Sequence, residues 1–169
     1  QSYEYDNRDI YIDPTQGCHF TLNFEQNWSI GQSASIYKIG SEYSIYRSID
    51  LKKFNPVFSS TSKISFYLSS EILTDFNLQY LGGEEFVRGY SPIPIENDEL
   101  YYDQIEWENI LYQSFQLQYT IFKRQNLNRM EIGLDGLFFV DFGIGFNKLS
   151  EYPNNALIGL GVGFRYFVS

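Results

Sequence analysis

Strict two-residue alternation, repeated in segment after segment, is the feature that most limits what this chain can become. From Cys18 to Trp28, the residues Cys18, Phe20, Leu22, Phe24 and Trp28 share one face, and His19, Thr21, Asn23, Glu25 and Asn27 share the other. From Ser62 to Ile72, Ile64, Phe66, Leu68 and Ile72 oppose Ser65, Tyr67, Ser69 and Glu71. From Ser114 to Phe122, Phe115, Leu117, Tyr119 and Ile121 alternate with Gln116, Gln118 and Thr120. From Glu131 to Phe146, Ile132, Leu134, Phe138, Val140 and Phe142 oppose Gly133, Asp135, Phe139, Asp141 and Gly143. From Ala156 to Val168, Ile158, Leu160, Val162, Phe164 and Tyr166 oppose Gly159, Gly161, Gly163 and Arg165. Weaker segments run from Glu42 to Phe54, where Arg47 interrupts the apolar face, and from Tyr3 to Asp9. Period two belongs to strands, because successive side chains leave opposite faces. The pattern predicts about seven strands, with no helical period and no linker dividing the chain. Turn residues punctuate it at Asp13-Pro14-Thr15-Gln16-Gly17, Asn55-Pro56 and Pro153-Asn154-Asn155.

A soluble sandwich and a membrane barrel both alternate, so the contents of the two faces must separate them. In a sandwich the apolar face is the core; in a barrel it meets lipid and the polar face lines the lumen. Three features favour the barrel. The segments are long, roughly 9–12 residues, which suits a tilted bilayer crossing better than the usual strand of about 5–6. Aromatic residues make up 19% of the chain and gather towards strand ends, as at Trp28, Tyr43 and Tyr166–Phe167. The polar faces carry Gly, Ser, Asn and Gln with moderate charge. The longest near-apolar run, Ala156–Phe164, has nine residues and three glycines. A spanning helix needs about 20 apolar residues, so none is expected.

The one long non-strand region, from Leu81 to about Trp107, holds the motif Leu81-Gly82-Gly83-Glu84-Glu85-Phe86-Val87-Arg88-Gly89-Tyr90. It resembles the Gly-Gly…Val-Arg-Gly-Phe/Tyr signature of the Omp85 superfamily of outer-membrane proteins. Three further segments agree in family order. Tyr5-Asp6-Asn7-Arg8-Asp9…Asp13-Pro14…Gly17 resembles a strand–turn–strand entry of that barrel. Phe138-Phe139-Val140-Asp141-Phe142-Gly143 resembles an inner-wall strand, and Gly161-Val162-Gly163-Phe164-Arg165-Tyr166 the penultimate strand. The resemblance implies an all-β, antiparallel transmembrane barrel of about sixteen strands, of which residues 1–169 are the C-terminal portion. Residues 81–107 would be a long extracellular loop folded into the lumen. By position, Arg88 would be the loop arginine and Asp141 its inner-wall partner, with Gly82, Gly83, Val87, Gly89 and Tyr90 shaping the loop. Gln118 stands where the family often offers a second wall carboxylate, so the clamp would rest on one acid. The glycines serve equally as turn residues or as points of close backbone approach.

The function implied is assembly, insertion or translocation of other proteins at the Gram-negative outer membrane, as in the bacterial surface-antigen and outer-membrane assembly-factor types. It would work by strand-edge exchange at a lateral seam. The expected partners are outer-membrane lipid, the remaining barrel strands or partner chains, and unfolded outer-membrane or secreted proteins. A rival is a barrel that anchors or exports a fused or partner enzyme of patatin-like phospholipase type, which a Gly-x-Ser-x-Gly elbow in a preceding domain would mark. A passive porin and a soluble binding module complete the alternatives, the latter separable by extraction without detergent. The chain opens at Gln1 on a polar stretch, so any leader is expected upstream or already removed. An open sheet of this kind should need a partner, self-assembly or detergent to cover its edges and apolar face.

No catalytic constellation, metal site or cofactor is expected. A single Cys and a single His exclude a disulfide within the chain, a cysteine zinc cage and a His-pair metal site. Cys18 and His19 are adjacent and leave opposite faces. Asp135 and Asp141 share one face but stand about 20 Å apart by strand rise, too far for joint acid–base work. The acidic run Glu96, Asp98, Glu99, Asp103, Glu106 and Glu108 lacks calcium-loop spacing and reads as a solvated loop. The net charge is −9, so nucleic acid is not an expected partner.

Overall fold

A computed structural model describes residues 1–11, 13–28, 35–51, 55–68, 79–90, 106–127, 130–147 and 156–168. Nine strands follow in order: β1 (Ser2–Asp6), β2 (Gln16–Trp28), β3 (Ser35–Ser48), β4 (Val57–Tyr67), β5 (Gln79–Tyr80), β6 (Glu106–Trp107), β7 (Asn109–Leu127), β8 (Met130–Phe146) and β9 (Ala156–Val168). Seven of them form one antiparallel sheet in the order β1-β2-β3-β4-β7-β8-β9. The two-residue strands β5 and β6 pair separately, at the base of the segment between β4 and β7. Among the described residues the sheet is open, with β1 and β9 each paired on one side only.

Each of the seven alternating segments becomes a strand of this sheet; β9 matches to the residue and the others have one or both ends shifted. The shifts have local causes. β7 runs to Leu127, past the expected Phe122, because register slips beside Phe122 break the alternation that marks a strand. β4 begins at Val57 rather than Ser62, its Ser-rich start having no apolar beat. Phe54, Ser69–Ile72 and Pro153–Asn155 fall outside the described residues. β1 stops at Asp6, three residues short of Asp9, because Asp9 is committed to a turn.

That turn is built by one carboxylate. Asp9 accepts from the backbone N–H groups of Ile10 (3.0 Å), Thr15 (2.9 Å) and Gln16 (3.0 Å), and from the Thr15 hydroxyl. Gly17 follows with φ +105°, and a Cβ there would press on the Asn7 carbonyl, so only glycine closes the turn without strain. The Thr15 hydroxyl above all, then the backbone donors, hold the Asp9 carboxyl down to about 2. The group is depressed in the folded state, so its stabilisation is present above the ordinary carboxylate range and is lost as pH falls through about 2. In detergent-solubilised protein, the Thr15 and Gln16 amide shifts should therefore titrate near pH 2. A midpoint in the ordinary carboxylate range would show that the turn is not held this way.

The two faces of the sheet are inverted relative to a soluble protein. On the outer face of β9, Leu160, Val162 and Phe164 are 73%, 78% and 74% exposed. On the inner face, Ser44, Ser114, Asp135 and Asp141 are buried. Apolar outside and polar inside is the arrangement that lipid selects. One polar cluster on the outer face closes on itself. The Gln113 amide donates to the Ser60 hydroxyl (2.9 Å) and the Ser114 carbonyl (3.1 Å), and its oxygen accepts from Ser62. Polar groups facing hydrocarbon must find partners within the protein, and these do.

Candidate functional site

Residues 79–90 leave the sheet and fold back over its inner face. The segment is held to itself first. The Val87 N–H donates to the Leu81 carbonyl (2.9 Å), the Gly83 N–H to the Tyr90 carbonyl (3.0 Å), and the Phe86 N–H to the Gly83 carbonyl (3.3 Å). Gly83 and Gly89 carry φ of +98° and +99°, conformations that a Cβ would strain. These two are the turn glycines. Gly82 is buried and bridges Val87.

The folded segment then supplies half of an apolar core. Leu81 and Val87, both fully buried, pack with Ile110 and Tyr112 of β7 and Leu157 of β9. Tyr80, Phe86, Tyr90 and Trp107 surround them, with Phe86 edge-on to Tyr112 at 5.6 Å. Burying Leu81 and Val87 is worth about 3–6 kcal/mol by area. Two wall glycines make room. A Cβ on Gly143 would strike Val87, and one on Gly159 would strike the Arg88 carbonyl. Close approach therefore belongs to Gly143 and Gly159, and left-handed turns to Gly83 and Gly89.

This seat delivers Arg88 to the wall. Its guanidinium forks onto Asp141, with Nε to Oδ2 and Nη2 to Oδ1 both at 2.7 Å, while its backbone N–H donates to Oδ2 at 3.1 Å. Ser114 donates its hydroxyl to Oδ1 at 2.7 Å and accepts from Arg88 Nη2 at 3.1 Å. Arg88 Nη1 donates to the Gln116 side-chain oxygen at 3.1 Å, and the guanidinium lies 3.6 Å from the centre of the Phe139 ring. Asp141 is fully buried and Arg88 mostly so. A buried carboxylate is tolerated only with partners on both oxygens, and both are supplied here.

Of the residues expected from the sequence, the structure brings Arg88 and Asp141 into contact and sets Val87, Gly82, Gly83, Gly89 and Tyr90 around them. Gln118 is not among the hydrogen-bond partners of Arg88. The guanidinium sits at the level of Ser114 and Gln116, one inward position short of Gln118. Gln118 instead donates to Asp135 (2.9 Å) and Asp13 (3.0 Å) and accepts from Arg165 (3.1 Å). Sequence reasoning passed over Ser114, Gln116, Gly143 and Gly159, although each falls on an inward position. Glu96, Asp98, Glu99 and Asp103 lie outside the described residues. Glu4, Asp6 and His19 stand close enough to share a cation, but already have protein partners, His19 with Glu4 and Asp6 with Arg8.

The model of the Omp85 superfamily domain matches residues 1–167. The chain belongs to the Omp85 superfamily. At the level of the family this places it with outer-membrane β-barrel proteins that insert or translocate other proteins. No curated protein matches the chain. The Omp85 assignment accounts for the inverted faces of the sheet.

Proposed function

We propose that this Omp85 chain is the C-terminal part of an outer-membrane barrel that inserts or translocates proteins through strand-edge exchange, with residues 81–107 as an extracellular loop clamped inside the lumen. The supporting observation is the charge-assisted fork between Arg88 and a fully buried Asp141 on an otherwise inverted sheet. The outer face meets outer-membrane lipid, and the unpaired sides of β1 and β9 meet the strands that complete the barrel. An unfolded client strand adds to a seam edge by backbone pairing, and the clamp holds the wall in shape while it opens.

The test reconstitutes the full-length protein in lipid vesicles with a small unfolded outer-membrane barrel as client. The protein should speed client folding over empty vesicles. Arg88→Asp and Asp141→Arg should each abolish the gain, and the two together should restore much of it. Client folding no faster than in empty vesicles contradicts the function. Independent, additive losses contradict the pairing.

A further inference from the structure

The motif Tyr5-Asp6-Asn7-Arg8-Asp9…Asp13-Pro14…Gly17 plays no part in the clamp, yet it too crosses the inner face. The turn between β1 and β2 does not stay beside its own strands. Asp13 accepts from Gln118 Nε2 of β7 at 3.0 Å and stands 3.7 Å from Arg165 Nη1 of β9. In sheet order, β3 and β4 lie between β2 and β7, and β9 is five strands from β2. A flat sheet would set β2 and β9 about 24 Å apart, so the turn meets both only because the sheet curls towards it. The turn is built to keep its shape on this crossing. Asp9 ties Ile10, Thr15 and Gln16 together, Asn7 takes the Cys18 N–H at 2.6 Å, and Arg8 forks onto Asp6 while lying over Tyr11.

The far end of the turn lands on one cation and one amide. Arg165 and the Gln118 amide receive Asp13, and buried Asp135 shares the same amide. Beside the turn lies a polar chamber of about 240 Å³, lined by Pro14 of the turn and by Tyr46, Ser59, Thr61, Gln116 and Arg165 among others. The turn and the Arg88 loop fasten to the same strand: Arg88 to Gln116, and Asp13 to Gln118, the next inward position.

We infer that the β1–β2 turn is a second lumenal closure, a strap locked by Asp13 to Gln118 and Arg165 at the end of the sheet opposite the Arg88 loop. The inference rests on the inner face being the lumen of a barrel. The two closures act in series. Either one keeps the lumen shut to ions, and conduction requires both to be released.

The experiment uses the full-length protein with Cys18→Ser, carrying Asp13→Cys and Gln118→Cys, in planar lipid bilayers. A short bis-methanethiosulfonate linker should join the pair in high yield in the protein with Arg88 intact, and a reductant should release it. With Arg88→Leu added, the reduced protein should conduct many-fold more than the same protein linked, and the linked form should stay near the wild-type level. Failure of the pair to link overturns the strap. So does equal conductance in the linked and reduced states when Arg88→Leu alone already conducts, and in that case the lumenal reading of the inner face stands. No conductance in any variant overturns both.

Discussion

Arg88→Leu is expected to free the loop from the barrel wall at a cost of about 3–5 kcal/mol. The cost comes from Asp141, which is fully buried and would keep only Ser114 and, at 3.5 Å, Tyr112 as side-chain donors. The apolar seat of Leu81 and Val87 opposes release by about 3–6 kcal/mol, so the two contributions are of the same size. The loop of the variant should therefore exchange between seated and released states. In full-length protein this reads as rapid proteolysis between 79 and 90 where the wild type resists. Adding Asp141→Leu removes the stranded charge, and the double variant should be less labile than the sum of the single ones. Additive behaviour would mean that the fork contributes nothing beyond its separate parts.

Gly159→Val should displace the loop by a different route. Gly159 is the registered partner of Asp141 on β9, and a Cβ there runs into the Arg88 carbonyl and reaches Val87. A backbone carbonyl cannot swing aside as a side-chain end can. Overpacking of this kind costs about 1–3 kcal/mol where neighbours adjust, and more here because the seat must open. Gly163→Val is the matched control, on the same inner face of β9 with nothing within 4 Å of a built Cβ. Loop proteolysis should rise for Gly159→Val and stay at the wild-type level for Gly163→Val. Equal effects would show that strand propensity decides, rather than the seat.

The sheet was legible because lipid on one side and a polar interior on the other force every second residue to match its face. That pressure is strong on β9, where Ala156–Val168 is predicted to the residue, and weak on the Ser-rich start of β4, which the alternation misses. Arg88 and Asp141 were legible as a pair only through the family resemblance, since spacing alone cannot join residues 53 apart. The seat was not legible. Gly143 and Gly159 read only as small residues of the polar face, because nothing local marks them as facing a folded-back loop. The resemblance pointed to Gln118 beside the clamp, whereas Arg88 meets Gln116. Both face inward, and only the depth at which the loop docks gives Arg88 to one and Asp13 to the other.

The Arg88 segment sits inside the curl of the sheet, against β8 and β9. A disulfide between Val87→Cys and Gly143→Cys in full-length, membrane-embedded protein carrying Cys18→Ser tests this placement. A Cβ built on Gly143 falls against the Val87 side chain, well inside the range a disulfide spans. Leu117→Cys and Phe138→Cys, registered partners on β7 and β8, provide the control pair. Mild oxidation should cross-link both pairs to near completion. Cross-linking of the control pair with none between residues 87 and 143 would place the loop outside the curl and contradict the account.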